Sequence, residues 1–280
     1  MSIALLETIA QVRENVAAAR RTGSSIGFVP TMGALHEGHG SLIRRAGEEK
    51  GFVVVSVFVN PIQFDRGDDF ERYPRTLEKD LAFCQAQGAD SVFAPRPEEM
   101  YPARQLTFVE VLELGDHLCG AFRPGHFRGV ATVVAKLLNI VQPDRAYFGE
   151  KDAQQLAIIQ RMVADLNLPC AIVAVPTVRE PDGLAMSSRN ARLSPEERRL
   201  APLVYQALQA GARAAREGCA PDAAKRAALA VLEAHRQMRV EYLEVVDPAT
   251  MRPVDQVAGP VRILTAVWLG ETRLIDNILC

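Results

Sequence analysis

Apolar residues along the first 175 positions fall into short runs that alternate with amphipathic segments. Two of these segments, at residues 130–141 and 156–166, repeat apolar side chains at helical spacing. Four apolar runs have the length of buried strands, at residues 26–29, 52–59, 91–94 and 171–175. Buried strands that alternate with amphipathic helices are typical of a mainly parallel sheet covered by helices. The pattern therefore predicts an α/β fold for this part of the chain.

The pattern changes after Pro176. Ser194 followed by Pro195 is typical of an N-cap and a first helical position, which predicts a long Ala-rich helix that runs toward Gly218. Pro221 is expected to open another helix. Three further apolar runs predict strands, at residues 240–246, 262–269 and 272–278. We therefore expect a second, smaller domain of the α+β class.

Composition narrows the classes of partner. The 280 residues carry 32 basic and 34 acidic side chains without a dense basic block, so nothing matches the positive surface that a nucleic-acid backbone requires. No apolar stretch has the length of a bilayer span, and the first residues lack the pattern of an export signal. Five widely spaced cysteines favour reduced thiols. We expect a cytoplasmic protein that binds neither nucleic acid nor membrane.

The segment PTMGALHEGH, residues 30–39, is the strongest candidate for chemistry. It follows a predicted strand and leads into a helix-compatible segment that carries two imidazoles, His36 and His39. The first backbone N–H groups of a helix lack partners within the helix, so they can donate to phosphate oxygens, and a nearby imidazolium would add positive charge. The segment therefore points toward a nucleotide.

Two other interpretations of the paired histidines bear on this hypothesis. A zinc site of the thermolysin type needs histidines four apart on a helix and a third ligand, and the sequence around His36 and His39 offers neither. A turn in which the two side chains only cap a helix is the alternative that the motif leaves open.

Asn60 and Gln63 follow the second apolar run. Ligands of open α/β sheets gather beyond the carboxyl ends of the strands, so this position suits a substrate contact. A carboxamide such as that of Gln63 can donate to a carboxylate and accept from a hydroxyl. An ordinary Asn-Pro turn is the alternative explanation for Asn60.

Three further polar segments have the composition of anion contacts. Lys151 precedes a predicted helix and can deliver a compact positive charge to a polyphosphate, while Asp152 either caps that helix, holds a ribose hydroxyl or orients the lysine. Arg123 and His126 stand before the apolar helix, either as surface groups or as an anion site. The segment MSSRN, residues 186–190, is either a polar interdomain loop or a group that closes over departing phosphates.

These segments resemble, in order along the chain, the blocks of the pantothenate synthetase family within the nucleotidyltransferase superfamily. The histidine segment is similar to the superfamily's His-x-Gly-His signature, and MSSRN is similar to its second, Lys-Met-Ser-Lys-Ser-like element. The stretches FVNPIQF, RPGHF, FGEKDAQQ and TRLIDN are also similar to family blocks. The resemblance covers nearly the whole chain.

The resemblance implies a fold and an activity. It implies a Rossmann-like domain over residues 1–176 and a smaller lid domain over residues 177–280. It implies an ATP-dependent ligase that joins pantoate to β-alanine through a pantoyl adenylate and releases AMP and pyrophosphate. ATP as co-substrate, Mg²⁺ as the counterion of the nucleotide and a homodimer are further implications.

The resemblance also implies roles for individual residues. Those that would stabilise charge on the phosphates, with His39 also a candidate proton donor, are His36, His39, Lys151, Ser187, Ser188 and Arg189. Those that would contact ATP are the same six together with Met32, Gly33, Ala34, Leu35, Glu37, Gly38, Gly149, Glu150, Asp152, Val178 and Met186. Those that would hold pantoate or β-alanine are Met32, Asn60, Gln63, His126 and Gln155. Asp80 is the candidate magnesium residue, with a carboxylate on a solvated helix face as the alternative.

Two other functions stay in view. A nucleotidyltransferase on the same scaffold would transfer AMP to a phosphate, and would leave the paired Gln63 and Gln155 without a purpose. A nucleotide-sensing module would bind ATP without releasing pyrophosphate, and the many charged groups argue against it.

Overall fold

The computed structural model describes residues 3–49, 51–64, 70–71 and 73–280. Among these residues, six parallel strands form one sheet: β1 Ala4–Leu6, β2 Ile26–Thr31, β3 Phe52–Val57, β4 Ser91–Phe93, β5 Arg145–Gly149 and β6 Ala171–Val175. Their order across the sheet is β1-β4-β3-β2-β5-β6. The Val- and Phe-rich β2 and β3 lie in the middle and are buried over most of their length, as expected of strands covered on both faces. The predicted α/β architecture is confirmed.

Helices cover both faces of this sheet. Along the chain they are α1 Ile9–Arg21, α2 Glu37–Glu48, α3 Leu77–Ala86, α4 Pro97–Met100, α5 Cys119–Phe122, α6 His126–Val141 and α7 Ala153–Asp165. α1, α6 and α7 contribute to the apolar core on one face, whereas α2 and α3 contribute to the core on the other. The apolar stripe of α6 matches the helical spacing in its sequence.

The sheet reverses its direction of growth between β2 and β5. From β2 the chain proceeds to β3 and β4 on one side, whereas from β5 it proceeds to β6 on the other side. In open α/β sheets, ligands bind in the crevice outside the carboxyl ends of the strands at such a point. The fold therefore predicts a ligand site at the segments that follow Thr31 and Gly149.

The C-terminal part forms a second layered unit. Three antiparallel strands, β7 Met238–Val246, β8 Arg262–Leu269 and β9 Thr272–Leu279, pack against α8 Pro195–Leu200, α9 Leu203–Arg216 and α10 Pro221–Glu233. The expected α+β character is confirmed. The domain boundary after residue 176 stays a prediction, and β6 ends one residue before it.

Three details differ from the sequence pattern. The single helix predicted from Ser194 to Gly218 is wrong, because the chain breaks between α8 and α9 at Pro202, whose ring cannot continue a helix. The run expected as a strand over residues 52–59 leaves the sheet after Val57. Two short strands, β1 and β5, have no clear signal of their own in the sequence.

Within the described part of the chain, no helix combines the length and the apolar character needed to cross a bilayer.

Candidate active site

The turn between β2 and α2 is fixed by a buried carboxylate below it. Gly33 and Ala34 both have positive φ, 83° and 51°. Asp80 of α3 accepts the backbone N–H of Ala34 at 3.1 Å and that of Leu35 at 2.8 Å, and the Thr76 hydroxyl donates to the same carboxylate at 3.2 Å. A Cβ on Gly33 would lie 3.0 Å from an Asp80 oxygen, so glycine is required there. Asp80 thus holds a strained loop in one conformation.

The structure contradicts one of the two interpretations of Asp80 made from the sequence. The side chain is buried, so it does not lie on a solvated helix face. Both carboxylate oxygens accept hydrogen bonds from the protein. The described residues contain no cluster of three or more His, Cys, Asp or Glu side chains that could hold a metal ion. These contacts show that Asp80 braces the turn, and its magnesium role stays a prediction.

The paired imidazoles cap α2 reciprocally. Nδ1 of His36 accepts the backbone N–H of Gly38 at 3.1 Å, and Nδ1 of His39 accepts the backbone N–H of His36 at 3.3 Å. A ring nitrogen that accepts a hydrogen bond carries no proton, so a neutral ring must carry its proton on Nε2. The capping role that the sequence left open is real. It also leaves both Nε2–H groups as donors.

Both rings are neutral near pH 7. Burial first and Lys151 second lower the pKa of His36 to about 4, although Asp152 opposes this change. Burial, then His36 and Lys151, lower the pKa of His39 to about 3. At this pH the two imidazoles therefore offer neutral N–H groups rather than positive charge, and the proton-donating role of His39 stays a prediction. Positive charge at this site comes from Lys151 instead.

A network of amides lies beyond the carboxyl end of β3. The Tyr101 hydroxyl donates to Asn60 Oδ1 at 2.7 Å, and Asn60 Nδ2 donates to Gln63 Oε1 at 3.0 Å. Gln63 Nε2 in turn donates to Met32 Sδ at 3.0 Å. Asn60 and Gln63 are both buried. Asn60 is thus an orienting group for Gln63, and the ordinary turn does not account for its contacts.

His126 and Gly129 at the start of α6 fix the backbone of Gln63. His126 Nδ1 donates to the Gln63 carbonyl oxygen at 2.8 Å, and its Nε2 lies 3.4 Å from Arg123 Nη1. A Cβ on Gly129 would lie 2.5 Å from Gln63 Cα, so only glycine allows this approach. The sequence reasoning missed Gly129, although a glycine within an apolar helix was a signal for close packing.

The two neighbouring glutamines in the segment after β5, Gln154 and Gln155, make different contacts. Gln154 is buried and its amide bonds to Cys119 N, Leu114 O and His117 O, so it braces the 114–119 segment. Gln155 lines a cavity together with Lys151 and Asp152. Asp152 occupies the N-cap position of α7 without accepting a capping hydrogen bond from its side chain. The capping explanation for Asp152 is therefore not supported, and its carboxylate stays exposed.

A short hairpin presents the serine-arginine segment. Met186 N donates to Val178 O at 3.0 Å, and Arg179 and Ala185 form an antiparallel bridge. Ser187 Oγ then accepts the backbone N–H of Arg189 at 3.3 Å, at the start of a 3-10 turn that spans Ser188–Arg192. Val178 and Met186 thus build the support for Ser187, Ser188 and Arg189.

These separate segments converge in space. One cavity is lined by His126, Lys151, Gln155 and Arg189, and an adjoining cavity shares Lys151 and Arg189 and adds Ser187. A Cβ on Gly38 would lie 3.9 Å from Met186 Cβ, so the histidine turn touches the serine-arginine segment. The histidine turn and the serine-arginine segment therefore lie next to each other.

Three residues at the site, two of them in the cavity lining, were not identified as site residues from the sequence. Arg273 and Tyr242 come from the C-terminal sheet, and Arg273 is held by an ion pair with Glu241. Tyr73 hydrogen-bonds to Ser188, and burial raises its pKa. Neither Arg273 nor Tyr242 follows a strand end in the first sheet. The expectation that ligands bind beyond the carboxyl ends of such strands therefore does not apply to them.

Comparisons with known proteins show which family the chain belongs to. A model of the family described as pantoate-beta-alanine ligase matches residues 4–279. The chain is 54% identical to the pantothenate synthetase of Moorella thermoacetica over 276 residues, which cover 98% of each chain. The crystal structure of the Thermus thermophilus pantothenate synthetase matches with a TM-score of 0.93 and 50% identity over 99% of both chains. The pantoate-beta-alanine ligase of Francisella tularensis, in complex with beta-gamma ATP and beta-alanine, matches with a TM-score of 0.81 and 34% identity, over 99% of this chain and 97% of that one.

We predict that the free energy of unfolding decreases as the pH is lowered from about 7 to about 5. The pKa values of His36 and His39 in the folded protein, about 4 and about 3, lie below the ordinary value of 6.5, so the unfolded state binds more protons in this interval. Each such imidazole contributes a slope of at most about 1.4 kcal/mol per pH unit. Urea unfolding across this pH range measures the slope.

The matched variants for this measurement are His39→Asn and His117→Asn. Asn at position 39 retains an acceptor for the His36 N–H but does not titrate, so the slope should decrease. His117 is exposed and its substitution controls for the loss of an imidazole as such. A slope that His39→Asn leaves unchanged would contradict the neutral state of this ring.

Proposed function

The chain belongs to the pantoate-beta-alanine ligase family and is a ligase that condenses pantoate with β-alanine, and from this premise we propose that ATP is its co-substrate and that a pantoyl adenylate is its intermediate. The observation that carries this proposal is that Lys151 and Arg189 line one cavity, while Lys151 is also close enough to His36 and His39 to lower the pKa of both rings. Such donors suit a triphosphate, and the neighbouring Gln155 suits an acid. The alternatives of a dinucleotide-forming transferase and of a non-catalytic sensor are excluded by membership of a ligase family.

The proposed reaction has two steps. A carboxylate oxygen of pantoate attacks the α-phosphorus of ATP, the bond from this phosphorus to the bridging oxygen breaks, and pyrophosphate leaves with the electron pair. The amine of β-alanine then attacks the acyl carbon, AMP leaves with the electron pair of the acyl–oxygen bond, and the amine nitrogen loses a proton. Catalysis of both steps is mainly a matter of positioning and charge stabilisation.

The phosphate contacts come from both halves of the site. Nε2 of His36 and of His39 donates as a neutral N–H group, and Lys151 and Arg189 add the positive charge that the imidazoles lack. Ser187 and Ser188 add hydroxyl donors. The nucleotide is further held by the turn and by the two other segments, through Met32, Gly33, Ala34, Leu35, Glu37, Gly38, Gly149, Glu150, Asp152, Val178 and Met186.

The proposed acid contacts are Gln63, in the amide network beyond β3, and Gln155. Gln63 donates to the thioether of Met32, which is a weak acceptor, so a carboxylate or hydroxyl at this position would gain a stronger hydrogen bond. Asn60 and His126 hold Gln63 in place for this contact. Gln155 approaches from the start of α7 and completes the acid-binding group.

We propose that Mg²⁺ binds together with the nucleotide. Mg²⁺ usually keeps several waters and binds through substrate phosphates rather than a dedicated protein cage. Asp80, the residue predicted for magnesium, also accepts two backbone N–H groups of the turn. When bound, the ion would neutralise part of the phosphate charge.

Assembly and compartment remain proposals. We propose a homodimer that buries an exposed apolar surface around Leu106, Phe108, Leu112 and Leu166, which are 80%, 39%, 73% and 50% exposed. Leu112 and Leu166 line one groove. A cytoplasmic location is supported by the five cysteines, all of which are free thiols.

The Lys151→Ala variant tests the proposed phosphate contact. We expect adenylate formation, measured as pantoate-dependent pyrophosphate release in a single turnover, to slow by about two orders of magnitude or more, because Lys151 acts on charge that develops on the phosphates. Attack of β-alanine on preformed adenylate should slow much less. Lys225→Ala, which removes an ion pair with Glu244 away from the cavity, is the control. Equal slowing of both steps by Lys151→Ala would contradict the assignment.

The Asp80→Asn variant separates a brace from a metal ligand. We expect the free energy of unfolding to fall by about 2 kcal/mol and the KM for ATP to rise, because the amide cannot accept both N–H groups of the turn in the same way. The Mg²⁺ concentration required for half-maximal rate should not change.

The control for this experiment is Asp90→Asn. Asp90 accepts the backbone N–H of Val53 at 2.7 Å, at the opposite end of the sheet. Its substitution should lower stability and leave the KM for ATP unaltered. A raised Mg²⁺ requirement in Asp80→Asn would support the metal role.

The proposed homodimer is tested by Leu106→Glu combined with Leu112→Glu. Charged side chains in a buried apolar interface are unfavourable, so we expect this double variant to shift the sedimentation profile from dimer to monomer. Leu279→Glu, at another exposed leucine, is the control. A wild-type protein that sediments as a monomer at micromolar concentration would refute the proposal.

A further inference from the structure

The stretch TRLIDN near the end of the chain has no role in the reaction as described so far. It begins β9, and its last two residues, Asp276 and Asn277, are buried polar side chains. Successive side chains of a strand point in opposite directions, so two adjacent residues can contact two different segments. Both of the segments that they contact belong to the candidate active site.

Asn277 contacts the backbone that carries Lys151. Its Nδ2 donates to the carbonyl oxygen of Glu150 at 2.8 Å and to that of Lys151 at 3.0 Å. Its Oδ1 accepts from Arg262, which is itself buried. The amide group therefore uses both of its hydrogens on consecutive carbonyls of a short 3-10 turn, Glu150–Asp152. An interaction of this kind fixes the orientation of the turn.

Asp276 contacts the base of the hairpin that presents the serine-arginine segment. Arg179 pairs with both carboxylate oxygens, at 2.6 Å and 3.0 Å. The same guanidinium donates to the Gly183 carbonyl oxygen at 3.1 Å and lies over the ring of Tyr205. Two active-site segments are thus attached to neighbouring positions of one strand.

We propose that Asn277 is a positioning residue for Lys151, and that with Asp276 it sets the separation between Lys151 and the Ser187–Arg189 segment. This inference rests on the proposed contact of Lys151 with the phosphates. Lysine is a flexible point charge on a four-carbon stem, so its Nζ can be placed only if its backbone is fixed. A misplacement of about 1 Å can cost about a hundredfold in rate.

The test is a double-mutant cycle of Asn277→Ala and Lys151→Ala. Pantoate-dependent pyrophosphate release is measured in a single turnover for the wild-type enzyme, both single variants and the double variant. We expect Asn277→Ala to slow this step about 10- to 100-fold, and to have an effect of less than about threefold when Lys151 is already Ala. Attack of β-alanine on preformed adenylate should change much less.

The outcomes distinguish this inference from the proposed function. If Lys151→Ala does not slow pyrophosphate release, the phosphate role of Lys151 fails and the positioning role fails with it. If Lys151→Ala slows pyrophosphate release but the double variant is slowed by the product of the two single-variant factors, only the positioning role is overturned. Asn277 would then act independently of the lysine.

Two further variants control for folding. Thr265→Val removes a buried hydrogen bond, 2.8 Å long, to the Tyr242 carbonyl oxygen in the same sheet, and should lower the thermal midpoint without changing the rate. If Asn277→Ala does not fold, Asn277→Asp enters the cycle in its place, since it retains the shape and loses both donors to the carbonyls. A fully active Asn277→Asp enzyme would also overturn the inference.

Discussion

β2 and β5 are neighbouring parallel strands, but the chain continues from β2 toward one edge of the sheet and from β5 toward the other edge. The position of the site follows from this arrangement. The α2 helix returns over one face of the sheet and α7 over the other, so their N-termini separate at the carboxyl edge and leave a crevice between them. No side chain is needed to create this opening. What the sequence adds is the set of contacts that holds the two flanking turns in fixed conformations.

Those contacts determine which groups in the site carry charge. The histidines are used as uncharged donors because burial and Lys151 both disfavour protonation, whereas the Asp80 carboxylate accepts from three donors. A positive lysine beside two neutral imidazoles avoids repulsion between like charges before any substrate enters. The anion-binding character of the site thus comes from oriented N–H groups together with few full charges.

Much of this arrangement could be predicted from the sequence, and the exceptions have physical reasons. The strands at the centre of the sheet, the helix stripes and the polar segments beyond the strand ends follow local rules of periodicity and placement. The role of Asp80 could not be predicted, because its partners Ala34 and Leu35 lie about 45 positions away along the chain and form no pattern with it. The same is true of Asn277, whose carbonyl partners belong to the backbone and have no signature in the side-chain sequence. Pro202 is a local signal for the break between α8 and α9, but the alanine-rich composition around it favours the prediction of one continuous helix.

The close approach of Gly129 to Gln63 limits how this enzyme can be redesigned. The α6 backbone is already in contact with the Gln63 backbone, so α6 cannot move closer to Gln63. It also cannot move away without losing the hydrogen bond between His126 and the Gln63 carbonyl oxygen. A bulkier hydroxy acid would therefore be admitted more easily by changing a flexible side chain that contacts Gln63, and Met32, whose thioether accepts from Gln63 Nε2, is such a side chain.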